Sequence, residues 1–232
     1  MRKIKFIAAD EHCYEVRARP VSSSKILPGW WKSMSPFAGS DKKFSFHGAP
    51  NSSVKKCIPT LDALNSGYVY TLWSDVIVED SQEGSVIKWN VDQPVFSTWQ
   101  KEQVLGYEIP KGFDETVFKY HHGWNPQTPR GWSLLFTQPF GYSRTPFQVL
   151  PGIVDTDSLK TGVYVPIVVE KGFEGVVPKG TPMFQITPIK RESWVSFFGS
   201  KTSQESYFDG EKLHSTMVSS YAKNHWSQKS YK

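Results

Sequence analysis

Short runs of alternating or aromatic-rich residues, each cut off by a glycine- or proline-bearing turn, govern what this chain can fold into. A strand needs only about four to eight residues between such breaks, whereas a helix needs about ten or more. Lys3–Ala8 and Tyr14–Arg19 alternate in the strand manner. Tyr68–Glu79 is a longer strand pattern interrupted near Ser74–Asp75, and Val86–Trp89 returns after the turn Asp80–Ser85. Val95–Trp99, Thr116–Trp124, Trp132–Gln138, Phe173–Val177 and Met183–Ile189 read the same way, with Asn125–Gly131 as a loop. Nine Trp, ten Tyr and fifteen Phe among 232 residues, beside 17 Gly and 16 Pro, favour strands and turns over helices. The stretch Pro151–Val169 reads as a hairpin within that β core.

Three segments carry a helical signal. Pro28 suits the first turn of a short helix that would set Trp30, Trp31 and Met34 on one apolar side. Cys57, Leu61 and Leu64 fit helical spacing up to the break at Asn65–Gly67. Residues 211–226 place Leu213, Met217, Val218, Tyr221 and Trp226 on one face, the pattern of an amphipathic C-terminal helix. Residues 38–53 are small and polar and read as a loop. The expected fold is mainly β: a sandwich, jelly roll or distorted barrel with a few short helices and a C-terminal helix. Residues 1–200 would form one β-rich domain and residues 201–232 a helical appendage. An appended helix that cannot cover its own apolar face is expected to cover it on another copy, which predicts a homo-oligomer.

Charge is uneven along the chain. The first 60 residues carry a net +7, residues 61–120 a net −6, and the remainder a net +4. A basic front can meet phosphates or an acidic surface, or can face the acidic middle across the fold. No run approaches the roughly 20 apolar residues of a membrane-spanning helix, and no apolar leader follows Met1. Cys13 and Cys57 lie far apart with no paired spacing, as inert core thiols would. These features lead to the expectation of a soluble protein in a reducing cytoplasm, with no membrane partner.

Candidate chemistry is sparse. His121 and His122 are adjacent, and on a strand adjacent side chains point to opposite faces, so they would not share one metal. No His-x-Asp or His-x-Glu occurs around His12, His47, His214 or His225. A cupin-like metal-dependent oxygenase would therefore need two histidines and a carboxylate to converge in space. Neither a nucleophile elbow nor a phosphate-binding loop is present. Asp155 and Asp157 stand two apart and would share one side of an extended chain. Two such carboxylates repel, so that one pKa rises or a cation is recruited, and a carboxylate at a turn can hold and deprotonate a water. Ordinary turn capping alone would explain both aspartates, and on residue types it is the preferred reading. The Trp30–Trp31 pair can anchor a loop to the core or form an aromatic shelf for a base or sugar.

Gly152–Asp157, the turn and strand Lys179–Ile186, and Thr128–Phe136 together resemble the trimeric dUTPase and dCTP deaminase superfamily over residues 128–194. The resemblance implies a dUTPase-like β core, a trimer, a nucleotide and Mg²⁺. It also implies that Asp155 orients the attacking water. Gln185 lies in the second matched motif, and Ser143–Arg144 stands late for the family's phosphate-binding Arg-Ser pair. Ser158 and Leu159 replace the family's sugar-stacking aromatic and its neighbour, and Thr137–Pro139 stands where the phosphate motif should follow. Ser196–Ser203 echoes the family's glycine-rich arm without its arginine. A site lacking its phosphate cradle is poorly equipped to hydrolyse a triphosphate.

Nearly the whole chain, through Leu27–Met34, Val54–Leu64, Thr128–Pro139, Gly152–Asp157 and Lys179–Trp194, resembles an uncharacterised family of bacteria and tailed phages, cyanophages among them. That resemblance implies a phage-type accessory or structural module, in the host cytoplasm or the virion. Such a module binds a protein partner or itself, with no cofactor. The site expectations are Asp155 and Asp157 for catalysis, if any, and Arg144, Gln185, Trp30 and Trp31 for ligand binding, with no metal site.

Overall fold

A computed structural model describes residues 2–38, 51–214 and 220–231, with the side chains of 211–214 and 220 excepted. The chain divides into two compact units, Met1–Ile26 with Gly67–Arg191, and Leu27–Ser66 with Glu192–Lys232. The boundary expected at residue 200 lies within the second unit.

The first unit holds every strand found among the described residues. In chain order they are β1 (Lys5–Ala8), β2 (Val21–Ser22), β3 (Tyr68–Thr71), β4 (Val76–Glu79), β5 (Val86–Trp89), β6 (Phe96–Thr98) and β7 (Phe118–Tyr120). There follow β8 (Trp124–Gln127), β9 (Trp132–Thr137), β10 (Phe147–Val149), β11 (Gly152–Val154), β12 (Val165–Val169), β13 (Gly175–Val177) and β14 (Pro182–Lys190). They form four open antiparallel sheets with orders β11-β9-β14-β3-β2, β10-β12-β7-β6, β13-β4-β5 and β1-β8. The fold is mainly β and sandwich-like, as the short punctuated runs predict. No helix among the described residues is long and apolar enough to cross a membrane.

β14 is the spine of the five-stranded sheet, pairing with β9 on one side and β3 on the other, with a register shift between Pro182 and Phe184. Phe184 is fully buried. Its ring stacks on Tyr70, with centroids 4.3 Å apart, and on Phe136 at 5.7 Å. His122 and Tyr120 meet it edge-on at 5.2 and 6.2 Å. Polar tips inside this aromatic layer are satisfied by carbonyls: Tyr120 donates to the Thr71 oxygen at 2.9 Å and Tyr70 to the Trp124 oxygen at 3.0 Å.

Three local expectations are corrected. Tyr14–Arg19 is not a strand; α1 (Glu11–Val16) takes its first half, because the Asp10 carboxylate accepts from the Cys13 N–H at 2.6 Å and starts a helical turn. Asn125–Gly131 is only partly a loop, since β8 reaches Gln127 and pairs with β1; Pro126 is tolerated there because the ladder has only two strands. Pro151–Val169 is not a hairpin. β11 pairs with β9 whereas β12 pairs with β10 and β7, so the stretch crosses from one sheet to another.

The second unit carries α2 (Gly29–Ser33), α3 (Ile58–Asn65), α4 (Ser203–His214) and α5 (Ser220–Asn224). Pro28 does precede a short helix, and its two tryptophans part company: Trp31 is 3% exposed and Trp30 42%. Lys55 lies over the Trp31 ring, 5.2 Å from its centroid, and also reaches the Trp31 carbonyl. Of the expected C-terminal helix, Glu211–His214 within α4 and α5 are helical among the described residues, and Trp226 beyond α5 donates to Asp62 of α3 at 3.0 Å. The expected stripe positions Leu213, Met217 and Val218 lie outside the described side chains, as does most of the expected loop 38–53.

Truncating Phe184 would empty the centre of the aromatic layer. Phe184→Ala is expected to lower the unfolding free energy by about 3–5 kcal/mol, measured by denaturant unfolding followed through tryptophan fluorescence.

Candidate functional site

The open end of the five-stranded sheet gathers the two candidate aspartates. Trp132 and Lys190 are register partners on β9 and β14, so Gly131 and Arg191 leave the sheet side by side, and the Arg191 N–H donates to the Gly131 oxygen at 2.9 Å. β11 runs along the far side of β9 and delivers Asp155 and Asp157 to the same end. Thr156 between them is fully buried. Its hydroxyl lies 2.8 Å from that of Thr128, which donates to the Trp132 oxygen at 2.7 Å. Thr128 has thus used its only proton, and Thr156 must be the donor between the two hydroxyls. The chain turns here, the Ser158 N–H bonding to the Asp155 oxygen at 3.1 Å, which leaves the Asp155 side chain 59% exposed and that of Asp157 only 8%.

Both carboxylates meet one guanidinium. Arg191 Nη1 lies 2.9 Å from Asp157 Oδ1 and 3.1 Å from Asp155 Oδ1, while Nη2 takes Asp157 Oδ2. Ser133 donates to Asp155 Oδ1 at 2.6 Å, and the Gly131 N–H to Asp157 Oδ2 at 2.8 Å. The repulsion expected of the pair is relieved by a cation from the chain itself. Arg191 and then the Gly131 N–H hold the Asp157 carboxyl well below the usual range. Asp155 is lowered as well, first by Ser133 and then by Arg191. The guanidinium's own pKa is raised, chiefly by Asp157.

The geometry decides what the cluster can do chemically. Asp157 is committed on both oxygens. Asp155 keeps a side chain 59% exposed, but a carboxylate lowered below 3.8 is a weak base toward water. The cluster is therefore well suited to clamp the β11 exit to the ends of β9 and β14. Arg191, Ser133 and Gly131 were not foreseen. The signal for Arg191 is positional: it immediately follows the strand that pairs with β9.

The remaining expected residues stand apart from this cluster. Gln185 is buried on β14 and accepts from the Phe140 N–H at 2.9 Å, so it fastens the loop that also carries Arg144. Arg144 is exposed and makes no ion pair among the described residues. Trp30 and Trp31 belong to the second unit.

The histidines follow the alternating-face expectation. His122 is buried, accepting from the Trp124 N–H at 3.2 Å and bonded to the Val163 oxygen at 2.6 Å. Burial lowers its pKa to about 4 against the pull of that carbonyl. His121 faces the other way, 2.8 Å from the Ser97 hydroxyl. No three His, Cys, Asp or Glu side chains among the described residues gather as metal ligands would.

A cleft of about 780 Å³ opens elsewhere in the first unit, between the β4–β5 loop, Lys101–Ile109 and Phe113–Thr116. Asp80, Glu83, Asp114 and Glu115 line it, which places part of the acidic middle of the sequence on one surface. Gly84 makes this loop possible: at φ +114° a Cβ there would come within 2.6 Å of the Thr116 hydroxyl.

Searched against protein-family models, the chain matches none, and none of the curated proteins matches it either. The fold and the cluster thus define a mainly antiparallel β protein with an Asp-Arg-Asp clamp at one sheet end.

Acid should destabilise the protein in two stages. His122 has a folded pKa of about 4 against an ordinary 6.5, so the unfolded chain takes up the proton first. Its contribution, about 3 kcal/mol at most, is complete above pH 6.5 and lost as pH falls toward 4. The aspartates add their loss only below about pH 3.8, the ordinary carboxylate value. In denaturant unfolding at a series of pH values, His122→Gln should flatten the first stage and Asp157→Asn the second.

Proposed function

We propose that this chain is a non-catalytic binding module that associates with a protein partner or with itself, of the accessory or structural kind found in tailed phages. One observation carries the reading. Residues 192–202 carry no helix or strand, and within them Trp194, Val195, Phe197 and Phe198 are 85, 95, 92 and 90% exposed. Four large apolar side chains in five positions are costly to leave in water, at about 1.5–3 kcal/mol for each one that could be buried. Such a patch marks a surface that meets another molecule. The clamped aspartates support the same reading, because they are engaged in holding strand ends together. The chain would work in the host cytoplasm or in the virion.

Light scattering on the purified protein tests this. The expected result is a defined oligomer that the triple variant Trp194→Ser, Phe197→Ser, Phe198→Ser converts to monomer without changing the circular dichroism spectrum. An oligomer that survives the triple variant would remove the stretch from the interface. A monomer at all concentrations would remove self-association.

A dUTPase-like nucleotide hydrolase is the second reading, and the exposed face of Asp155 beside Ser133 and Arg191 favours it. It alone calls for Mg²⁺. It predicts Mg²⁺-dependent pyrophosphate release from a deoxynucleoside triphosphate, lost at least a hundredfold in Asp155→Asn. No release from any of the common deoxynucleotides would eliminate it.

A further inference from the structure

Arg17 is the C-cap of α1 and is only 8% exposed, yet no carboxylate among the described residues lies within ion-pair distance of it. Its Nη1 donates to the His121 oxygen at 2.8 Å, a carbonyl that also accepts from Trp73 Nε1 at 2.9 Å. The guanidinium lies over the Trp73 ring, 4.3 Å from its centroid. Nε is buried with no partner, and Nη2 makes no hydrogen bond within the described chain. Asp10, the N-cap of the same helix, is already engaged by the Cys13 N–H, and neither Glu11 nor Glu15 of α1 forms an ion pair with Arg17 among the described residues.

The seat is built for this side chain. Gly123 adopts φ +77°, and a Cβ there would stand 2.6 Å from Arg17 Cδ and 2.7 Å from Nη1. The surroundings add positive charge. Arg19, two residues on along an extended chain, lies over the Tyr14 ring at 5.0 Å and the Trp124 ring at 5.9 Å. The His121 pKa is lowered by burial, then by the charges of Arg17 and Lys119. An aromatic face, a carbonyl and a short helix C-terminus offer only partial negative charge. A desolvated cation beside other cations calls for a full counter-charge in contact, and Asp10, whose carboxyl feels the Arg17 charge, stands beyond ion-pair distance.

We propose that Arg17 anchors an oxyanion site for a phosphate group, with Arg19 as the second cation. Two cations match the double charge of a phosphate monoester better than the single charge of a carboxylate. Two exposed rings lie nearby in the chain of contacts: Tyr14 beneath Arg19, and Tyr164 tilted against the His121 ring with centroids 4.5 Å apart. This inference is independent of the exposed apolar stretch.

The test uses the full chain labelled with ¹⁵N. Inorganic phosphate is titrated at constant ionic strength, with sodium chloride as the control, and the arginine Nε–Hε resonances are followed. A saturable shift of the Arg17 resonance is expected with phosphate and not with chloride. Melting temperature should rise with phosphate in the wild type, and Arg17→Gln should weaken binding at least tenfold. Equal responses to phosphate and chloride would overturn the proposal, as would a full phosphate response in Arg17→Gln. Should Arg17→Gln fail to fold, the resonance titration of the wild type decides alone. Phenyl phosphate binding more tightly than inorganic phosphate would assign an organic monoester, and equal affinity free phosphate.

Discussion

The aromatic contact around Phe184 is the constraint on which the β unit depends. One ring on the sheet spine touches Tyr70 of β3, Phe136 of β9, Tyr120 of β7 and His122 just beyond it. Two of those rings come from the five-stranded sheet and two from the chain of the four-stranded sheet. Many weak dispersion contacts on one rigid side chain therefore fix the spacing of two sheets that share no backbone hydrogen bond. The Tyr120 and Tyr70 hydroxyls then set how the layers slide, because each must find its carbonyl across a sheet boundary. His122 is drawn into the same layer and stays neutral there, which makes the core sensitive to acid.

Placement of the candidate site follows from that arrangement. With β14 central and β9 beside it, the strand ends that release Gly131 and Arg191 are held together before any side chain acts. Asp155 and Asp157 complete an ion cluster whose geometry is bidentate on Asp157 and shared through Ser133 on Asp155. Bidentate arginine pairs are selective in direction as well as favourable in energy. The cluster thereby fixes the point where the chain leaves one sheet for the next.

Much of the β unit was legible because its runs are short and firmly punctuated. The break at Ser74–Asp75, the return at Val86–Trp89 and the long run ending at Ile189 all coincide with strand boundaries to within a residue or two. What was hidden has physical causes. Six alternating residues from Tyr14 to Arg19 cannot distinguish a strand from a helix whose start is set by Asp10, outside the window. Pairing partners are equally invisible: β11 and β12 look like two arms of a hairpin until each is seen to bond elsewhere. The spacing of Asp155 and Asp157 predicts a shared side only for an extended chain, whereas the chain turns there and only Asp155 stays exposed. Nor could that spacing announce Arg191, which is 34 residues further along and adjacent only through strand pairing. Arg17 was hidden for a similar reason, since its isolation from acids is a property of the folded neighbourhood.

The β2–β3 pairing has one more consequence. Val21 and Ser22 lie opposite Val69 and Tyr68, and the Ser23 N–H bonds to the Gly67 oxygen, so the chain departs from the β unit and re-enters it at a single doorway. Everything from Leu27 to Ser66 is an excursion whose two ends the sheet already holds together. Lengthening or shortening such an excursion changes closure entropy only slowly and re-threads no strand. The excursion can thus change length without altering any strand pairing, so long as it keeps Asp62 as the partner of Trp226 and Lys229.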